Sequence, residues 1–432
     1  MILTEDMADR ISDDGLIHDA LRLKELQALP LHRKVGISLA RISEWYFHFK
    51  GNVYVSFSGG KDSTVLLHLV RGLFPDVPAV FANTGLEYPE VRQFAQSFDN
   101  VIVRYPDMNF HQVITKYGYP LIGKEVAEAI YYARRITPPP NKRQDVNALN
   151  CSDNVIPRGG ARSEAQAEGT ARATADGFGT GVTSWHNWRR RCLMSGAGHS
   201  EFGNKSMFNK EKWLPIARDL PVMISHYCCN VMKKRVTAKY QRETGFKPIL
   251  GTMAVESRMR KQAWIRHGCN AFNASKETSQ PLSFWTEQDI LTYIKQFELD
   301  IASPYGSIDF VDSKGNVIIP EGAAMPEGCK LKCSGCQRTG CVYCAFGAHL
   351  EKGETRFQRL AKTHPRQYEY CMGGGEWADN PAYDPTASSE PDEMGWVNWN
   401  PKKIWVPNKE GLGMKKVFDL CNEIMPGMYR YD

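Results

Sequence analysis

The rhythm of apolar and polar positions changes several times along the chain. Within residues 1–50, "LIHDALRLKELQAL" and "VGISLARISEWYFHF" place apolar side chains three and four apart, the period of an amphipathic helix. A compact apolar run, "VYVSF", comes next. From there strand and helix signals alternate: helix 62–74, strand "PAVFAN", helix "YPEVRQFAQSF", strand "NVIVRYP". Short apolar runs separated by amphipathic helices predict a parallel sheet covered on both faces. The expected fold class is α/β, a doubly wound parallel sheet.

The rhythm is lost between about 137 and 210, where "TPPPNKRQD" stops any helix and "GGARSEAQAEGTARATADGFGTG" is small, polar and poor in large apolar side chains. This reads as an insertion. The aromatic and basic "SWHNWRRRC" behind it suits either stacking on a polyanion or docking of its tryptophans on the domain. Order returns with "PILGTMAVES", a strand running into a turn, and "TEQDILTYIKQF", a helix with Thr286 at its N-cap. A cysteine-rich stretch, a helix near 354–371, a Gly-, Trp- and Pro-rich tail and a last helix, "MKKVFDLCNEI", follow. The domains expected are a helical cap over 1–50, a core over 51–310 that carries the insertion, and a cysteine-rich region with a tail over 311–432.

Composition adds limits. No apolar stretch reaches the length of about 18 residues that spans a bilayer, and the first residues, "MILTEDMADRISDDG", are too acidic and polar for an export leader. A cytoplasmic protein without a membrane partner is expected. The net charge of +6 is modest, but basic residues bunch in "NWRRRC", "MKKR", "SRMRKQAWIRHG" and "NPKKIW", which suits an anionic ligand, nucleotide or nucleic acid.

"SFSGGKDST", between the first strand and the helix after it, is the densest piece of candidate chemistry. Gly59 and Gly60 let the backbone turn and approach a ligand, and amides at the helix start then face an anion. Lys61 adds a point charge, Ser58 and Ser63 add hydroxyls. A P-loop needs Gly, four residues, then Gly-Lys-Ser/Thr; here Val55 holds the first position and Asp62 follows the lysine, which excludes that motif. Asp62 beside a phosphate chain would repel it unless a divalent cation intervenes, so Asp62 is either a Mg²⁺ or water-mediated ligand, a helix cap, or both.

The hexamer resembles the SGGxDS pyrophosphate loop (PP-loop) of the ATP pyrophosphatase superfamily. "ANTGLEYPEV", "YCCNVMKKR", "LGTMAVESRMRKQAW" and "PLSFWTEQDILTYI" resemble, in the same order, segments of its phosphoadenosine phosphosulfate (PAPS) reductase branch, over roughly 53–300. The resemblance implies a HUP-like domain that binds an adenine nucleotide, ATP with Mg²⁺, through Ser58, Gly59, Gly60, Lys61, Asp62 and Ser63, with Asn83, Thr84, Gly251 and Arg258 beside it. It gives Lys61, Asp62 and Arg260 the catalytic roles, with Lys233, Lys234 and Arg235 near the same anion. Met253 stands where the family often has arginine.

Five of the twelve cysteines lie between Cys329 and Cys344, and Cys333-x2-Cys336 and Cys341-x2-Cys344 are two close knuckles with metal spacing. Zinc and a [4Fe-4S] cluster both suit four sulfurs. In iron-sulfur members of the family an upstream Cys-Cys pair joins a downstream CxxC, which implies Cys228-Cys229 with Cys341 and Cys344. Related sequences of the pattern TGC-x-RTGC-x-FC imply Cys336 with one of the pair, so Cys228, Cys229, Cys336, Cys341 and Cys344 are nominated for four places. Cys329 and Cys333 are second choices, and a local zinc knuckle of 333, 336, 341 and 344 is the alternative. Cys151, Cys192, Cys269, Cys371 and Cys421 read as packing or surface thiols.

Three functions compete. A PAPS reductase needs a nucleophilic cysteine near its C-terminus, and neither "YEYCMGGG" nor "DLCNEI" matches that segment. The complete SGGKDS instead favours an ATP pyrophosphatase that adenylates its substrate for sulfur transfer, like the iron-sulfur enzyme of DNA phosphorothioation. This reading calls for a nucleic-acid substrate and a sulfur donor such as a cysteine desulfurase. A non-catalytic nucleotide-binding module is the third.

Overall fold

The computed structural model describes residues 18–134, 209–319, 328–391 and 396–432. The N-terminal acidic segment and the insertion up to residue 208, with "SWHNWRRRC", lie outside the described residues. The chain divides into two compact units, Met1–Asn109 with Val231–Val342, and Phe110–Asn230 with Tyr343–Asp432.

In the first unit, helices α1 (Ala20–Ala28) and α2 (Leu31–His48) are separated by Pro30, which has no N–H to continue α1 and serves as N-cap of α2. Strand β1 (Val53–Phe57) leads through the glycine loop into α3 (Lys61–Leu73). β2 (Ala79–Ala82), α4 (Pro89–Gln96) and β3 (Val101–Arg104) follow. The chain returns to this unit with α5 (Arg235–Thr244), β4 (Lys247–Leu250), α6 (Arg258–His267), β5 (Asn270–Ala271), β6 (Thr278–Ser279) and α7 (Glu287–Gln296). Thr286 caps α7 as expected, and Asp289 reaches back to the Thr286 N–H at 2.7 Å to complete a capping box.

The strands form one six-stranded sheet in the order β3-β2-β1-β4-β6-β5, parallel except for β5 against β6. The expected α/β class with a mostly parallel sheet is what the unit adopts. Side chains alternate across it. Val53, Val55 and Phe57 of β1, with Ala79 and Phe81 of β2, join a large core with Trp45, Leu66, Trp264 and Trp285. Tyr54 and Val80 point to the other face and pack on Tyr240 of α5. Burying both faces explains why these strands are apolar throughout rather than alternating. The chain goes outward from β1 through β2 to β3 and returns on the opposite side of β1 as β4. That reversal makes a topological switch point, where loops leaving adjacent strands diverge and leave a crevice at the carboxyl edge.

Three further strands, β7 (Ile308–Val311), β8 (Val317–Ile318) and β9 (Lys330–Cys333), form a small antiparallel sheet that carries the cysteine-rich segment.

In the second unit, helices Phe110–Tyr117, Lys124–Ala133, Leu214–Asp219 and Met414–Ile424 accompany an antiparallel ribbon of Glu376–Asp379 with Lys403–Val406. The single helix expected near 354–371 is two, Arg356–Thr363 and Pro365–Met372. Pro365 ends the first because it cannot donate to the preceding turn, and it opens the second at a position whose N–H is not needed. Among the described residues, no helix is long and apolar enough to cross a membrane.

Candidate functional site

The glycine loop opens directly from β1, and its two glycines have different tasks. Gly59 sits at φ +69°, and a Cβ there would stand 2.8 Å from the Val91 carbonyl of α4. Only glycine meets both conditions without strain. Gly60, the N-cap of α3, has ordinary extended angles, and its Cβ position faces hydroxyls: Tyr305 at 3.2 Å and Ser58 at 3.3 Å. The serines knit the turn together. Ser58 N–H donates to Ser63 Oγ (3.2 Å), Ser63 Oγ donates to the Gly60 carbonyl (2.9 Å), and the Ser58 and Ser63 hydroxyls are 3.1 Å apart.

Lys61 is 2% exposed, deep for a cation, and its partners come from distant parts of the same unit. The ammonium donates to the Gln337 carbonyl (3.2 Å) and stands 3.5 Å from Asp62 Oδ1 and 3.4 Å from Glu287 Oε1. The Tyr305 ring lies 5.7 Å from it. Burial by itself would lower the lysine pKa, but Asp62, Tyr305 and Glu287 outweigh it and hold the ammonium above its ordinary value. The Lys61 backbone N–H donates to Tyr305 Oη (3.2 Å), and that hydroxyl also lies 2.8 Å from Thr339 Oγ1. Cys336 N–H to the Pro304 carbonyl (2.8 Å) and Gly335 N–H to the Tyr305 carbonyl (2.9 Å) tie segment 335–339 to the Tyr305 turn. The cysteine-rich segment thus roofs the loop.

Asp62 Oδ1 is buried without a hydrogen-bond partner. Burial raises the carboxyl pKa, against the lowering pull of Lys61 and Arg338. On the other side, Gly251, just past β4, lets the backbones meet: a Cβ there would be 3.1 Å from the Asp62 carbonyl oxygen. Beyond it Glu256 collects two guanidinium groups. Arg260 pairs with its Oε2, and Arg338 Nη1 stands 3.5 Å from its Oε1. The Arg260 pKa is lowered by burial and by the like charge of Arg338, and raised by Asp62. Arg258 and Arg260 occupy the first turn of α6, the end where the helix dipole disfavours cations.

The structure therefore gathers Ser58, Gly59, Gly60, Lys61, Asp62, Ser63, Gly251 and Arg260 around one crevice. Arg258 is exposed at the start of α6, and Lys234 and Arg235 are exposed at the start of α5. Asn83 and Thr84 lie buried at the end of β2, where their side chains build a turn: Thr84 Oγ1 donates to Glu87 Oε1 (2.7 Å), and Asn83 Oδ1 accepts from Gly85 N–H (3.2 Å). Met253, in the place of the family's arginine, is a core residue at 3% exposure. Sequence reasoning missed Glu256, Glu287, Tyr305, Gln337, Arg338 and Thr339. Glu256, Glu287, Arg338 and Thr339 had local signals, standing inside "AVESRMR", "WTEQDI" and "RTGC", whereas Tyr305 and Gln337 had none.

Of the nominated metal ligands, Cys336 and Cys341 belong to the first unit and Cys228, Cys229 and Cys344 to the second. Cys228 and Cys229 sulfurs are 3.9 Å apart, and the Cys336 thiol is 3.8 Å from Tyr88 Oη. Within neither unit do three or more His, Cys, Asp or Glu side chains among the described residues form a metal-binding group.

A mostly parallel α/β sheet with a glycine loop leaving its switch-point strand is the class that fold and site define. The phosphoadenosine phosphosulfate reductase domain matches residues 52–127, the stretch that holds β1, the glycine loop and β3. An uncharacterized protein of Methanocaldococcus jannaschii is 34% identical over 111 residues, 24% of this chain and 26% of that protein. A phosphoadenosine 5'-phosphosulfate reductase of Serratia proteamaculans is 35% identical over 85 residues, 17% of this chain and 34% of the reductase. The chain thus spans about a quarter to a third of the length of these two relatives. A crystal structure of a PAPS reductase from Candida auris, a phosphate complex, superposes with TM-score 0.28 and 8% identity, covering 67% of this chain and 91% of that one.

Proposed function

We propose that the first unit binds ATP at the SGGKDS loop and cleaves it between the α and β phosphates, adenylating an acceptor that a sulfur nucleophile then attacks. The observation that carries this reading is the complete loop with its buried, charged Lys61 and with Arg260 and Arg338 converging beside it. An acceptor oxygen attacks the α-phosphorus, the bond to the β-phosphate breaks, and pyrophosphate leaves with the electron pair. Lys61 would neutralise charge on that leaving group. Sulfur then displaces AMP, a far better leaving group than the original oxygen.

Three carboxylates, Asp62, Glu256 and Glu287, already face the three cations Lys61, Arg260 and Arg338. A polyanion entering this balanced site needs further positive charge. The buried, unbonded Asp62 Oδ1 fits Mg²⁺ or a water on it, and the ion would screen the phosphates. A nucleic-acid acceptor, a desulfurase-type sulfur donor and an iron-sulfur cluster belong to this proposal.

A reductase reading is favoured by the matched domain and by the name of the Serratia relative. It requires an accessible thiolate near the C-terminus. Cys371 and Cys421 are both fully buried, and burial pushes their thiol pKa values up, that of Cys421 to about 12. Buried protonated thiols are poor nucleophiles.

The test is to incubate the full chain with ATP, Mg²⁺ and nucleic acid and to identify the products. AMP and pyrophosphate, lost in Lys61→Ala and Asp62→Ala, are expected. ADP and orthophosphate would overturn the proposal, and sulfite released from a sulfonucleotide with thioredoxin and no ATP would establish the reductase. Nucleotide affinity without turnover would leave a binding module.

A further inference from the structure

We propose that Arg338, carried by the cysteine-rich segment, is a phosphate-contacting residue of this site and grips the terminal phosphates of the nucleotide together with Arg260. This rests on the nucleotide reading above and names a contact within it. Its neighbours on both sides are anchored to the loop: the Gln337 carbonyl accepts from Lys61 Nζ, and Thr339 Oγ1 lies 2.8 Å from the Tyr305 hydroxyl that receives the Lys61 N–H. The backbone of Arg338 is therefore fixed over the glycine loop, yet its side chain is 67% exposed.

Among the described residues it pairs with Glu256 at 3.5 Å, a carboxylate that Arg260 already engages. A long pair whose cation is mostly in solvent stabilises a fold little, so stability does not account for the placement. Two guanidinium groups drawn to one carboxylate repel each other, and that repulsion contributes to the lowered Arg260 pKa. An anion with several oxygens relieves it. The planar fork of each guanidinium matches phosphate oxygens in pairs, and Arg338 has donors to spare for them. Its charge is also felt at Asp62 in the loop, where it acts with Lys61 against the burial that raises that carboxyl's pKa. The ligand chemistry is a polyphosphate: the β and γ groups of a nucleoside triphosphate, or free pyrophosphate. AMP lacks it.

The experiment is calorimetric titration of the full chain and of Arg338→Gln and Arg338→Lys with α,β-methylene-ATP, pyrophosphate and AMP, in Mg²⁺. Arg338→Gln is expected to weaken the triphosphate analogue and pyrophosphate at least tenfold and to leave AMP unchanged, with Arg338→Lys between. The unfolding midpoint without ligand should not move. Wild-type binding with an equal affinity in Arg338→Gln overturns the Arg338 contact alone. A parallel loss of AMP affinity also overturns it, because that marks a role in holding the roof. A wild type that binds neither the analogue nor pyrophosphate overturns the nucleotide reading and this inference with it.

Discussion

Replacing each loop glycine by alanine separates folding from binding, because the two positions differ in backbone and in neighbours. At Gly59 the φ of +69° costs an L-residue roughly 1–2 kcal/mol. The new Cβ would also lie 2.8 Å from the Val91 carbonyl and 3.0 Å from Ala95 Cβ, both on α4, so either the helix or the loop must shift. Overpacking of that kind costs about 1–3 kcal/mol. Together, Gly59→Ala should destabilise the first unit by about 2–5 kcal/mol. Gly60 has φ −83° and ψ 154°, which alanine adopts freely, and the nearest atoms are the hydroxyl ends of Tyr305 and Ser58, which can turn aside. The restricted unfolded chain gains about 0.4–1 kcal/mol, so Gly60→Ala should stay within about 1 kcal/mol of wild type. Its methyl nevertheless stands beside the Lys61 amide, and nucleotide affinity should fall at least tenfold. Urea unfolding followed by tryptophan fluorescence reports the first unit through buried Trp45, Trp264 and Trp285, and titration with a nucleotide reports the loop. Equal stability losses in the two variants, or a Gly60→Ala protein that binds as wild type does, would refute the reasoning.

Two other outcomes follow from buried polar groups. Lys34 is 2% exposed, with its ammonium 2.7 Å from both the Gln27 carbonyl and Asp289 Oδ2, so Lys34→Met leaves that carboxylate with only its neutral Thr286 donors and should cost about 3 kcal/mol, the low end for breaking a buried pair; a double-mutant cycle with Asp289→Asn in which the two costs simply add would show that the pair is not coupled. Cys421, pushed up to about 12 by burial, and Cys371, also raised, should resist iodoacetamide at pH 9 in the native protein and react after unfolding, as read by peptide mass mapping. For such a raised acid the folded state keeps its proton while the unfolded state loses it, so the contribution to stability is full below the unfolded thiol pKa of about 8.5 and is lost as pH rises above it; rapid native labelling of either thiol would restore the reductase reading.

The strands and helices of the α/β core were legible because each is a local pattern. "VYVSF", "PAVFAN" and "NVIVRYP" are apolar enough for strands buried on both faces, and β1, β2 and β3 lie within them. The glycine loop was legible for the same reason, since its residues are adjacent in sequence. What surrounds Lys61 was not. Glu287, Tyr305 and Gln337 reach it from 226, 244 and 276 residues away, so no periodicity connects them. In "CSGCQRTGC" the cysteine spacing drew attention to sulfur, whereas the intervening Gln337, Arg338 and Thr339 contact or face the loop. Pro365 was an available signal for two helices instead of one and was passed over in favour of the apolar period around it.

On the nucleotide proposal, the roof sets which contacts a phosphate would replace. Tyr305 Oη accepts the Lys61 N–H, and the Gln337 carbonyl accepts from Lys61 Nζ, so two oxygens already hold the donors that a phosphate would use. Both are neutral. Burial raises the Tyr305 pKa, though Thr339 and Lys61 pull it down, so the phenol stays protonated and brings no charge to the loop. A phosphate oxygen makes a charge-assisted bond to the Lys61 N–H, about twice as strong as the neutral one to Tyr305, and gives the already charged Nζ an anion in place of a neutral carbonyl. Exchange is favourable once the phosphate's own hydration is replaced, and the displaced Tyr305 hydroxyl keeps Thr339 as a partner. Glu287 and Asp62 also stand beside Lys61, and their carboxylates set the demand for a cation on this proposal. The neutral oxygens keep a buried lysine satisfied before the ligand arrives, and they are the groups that give way when it does.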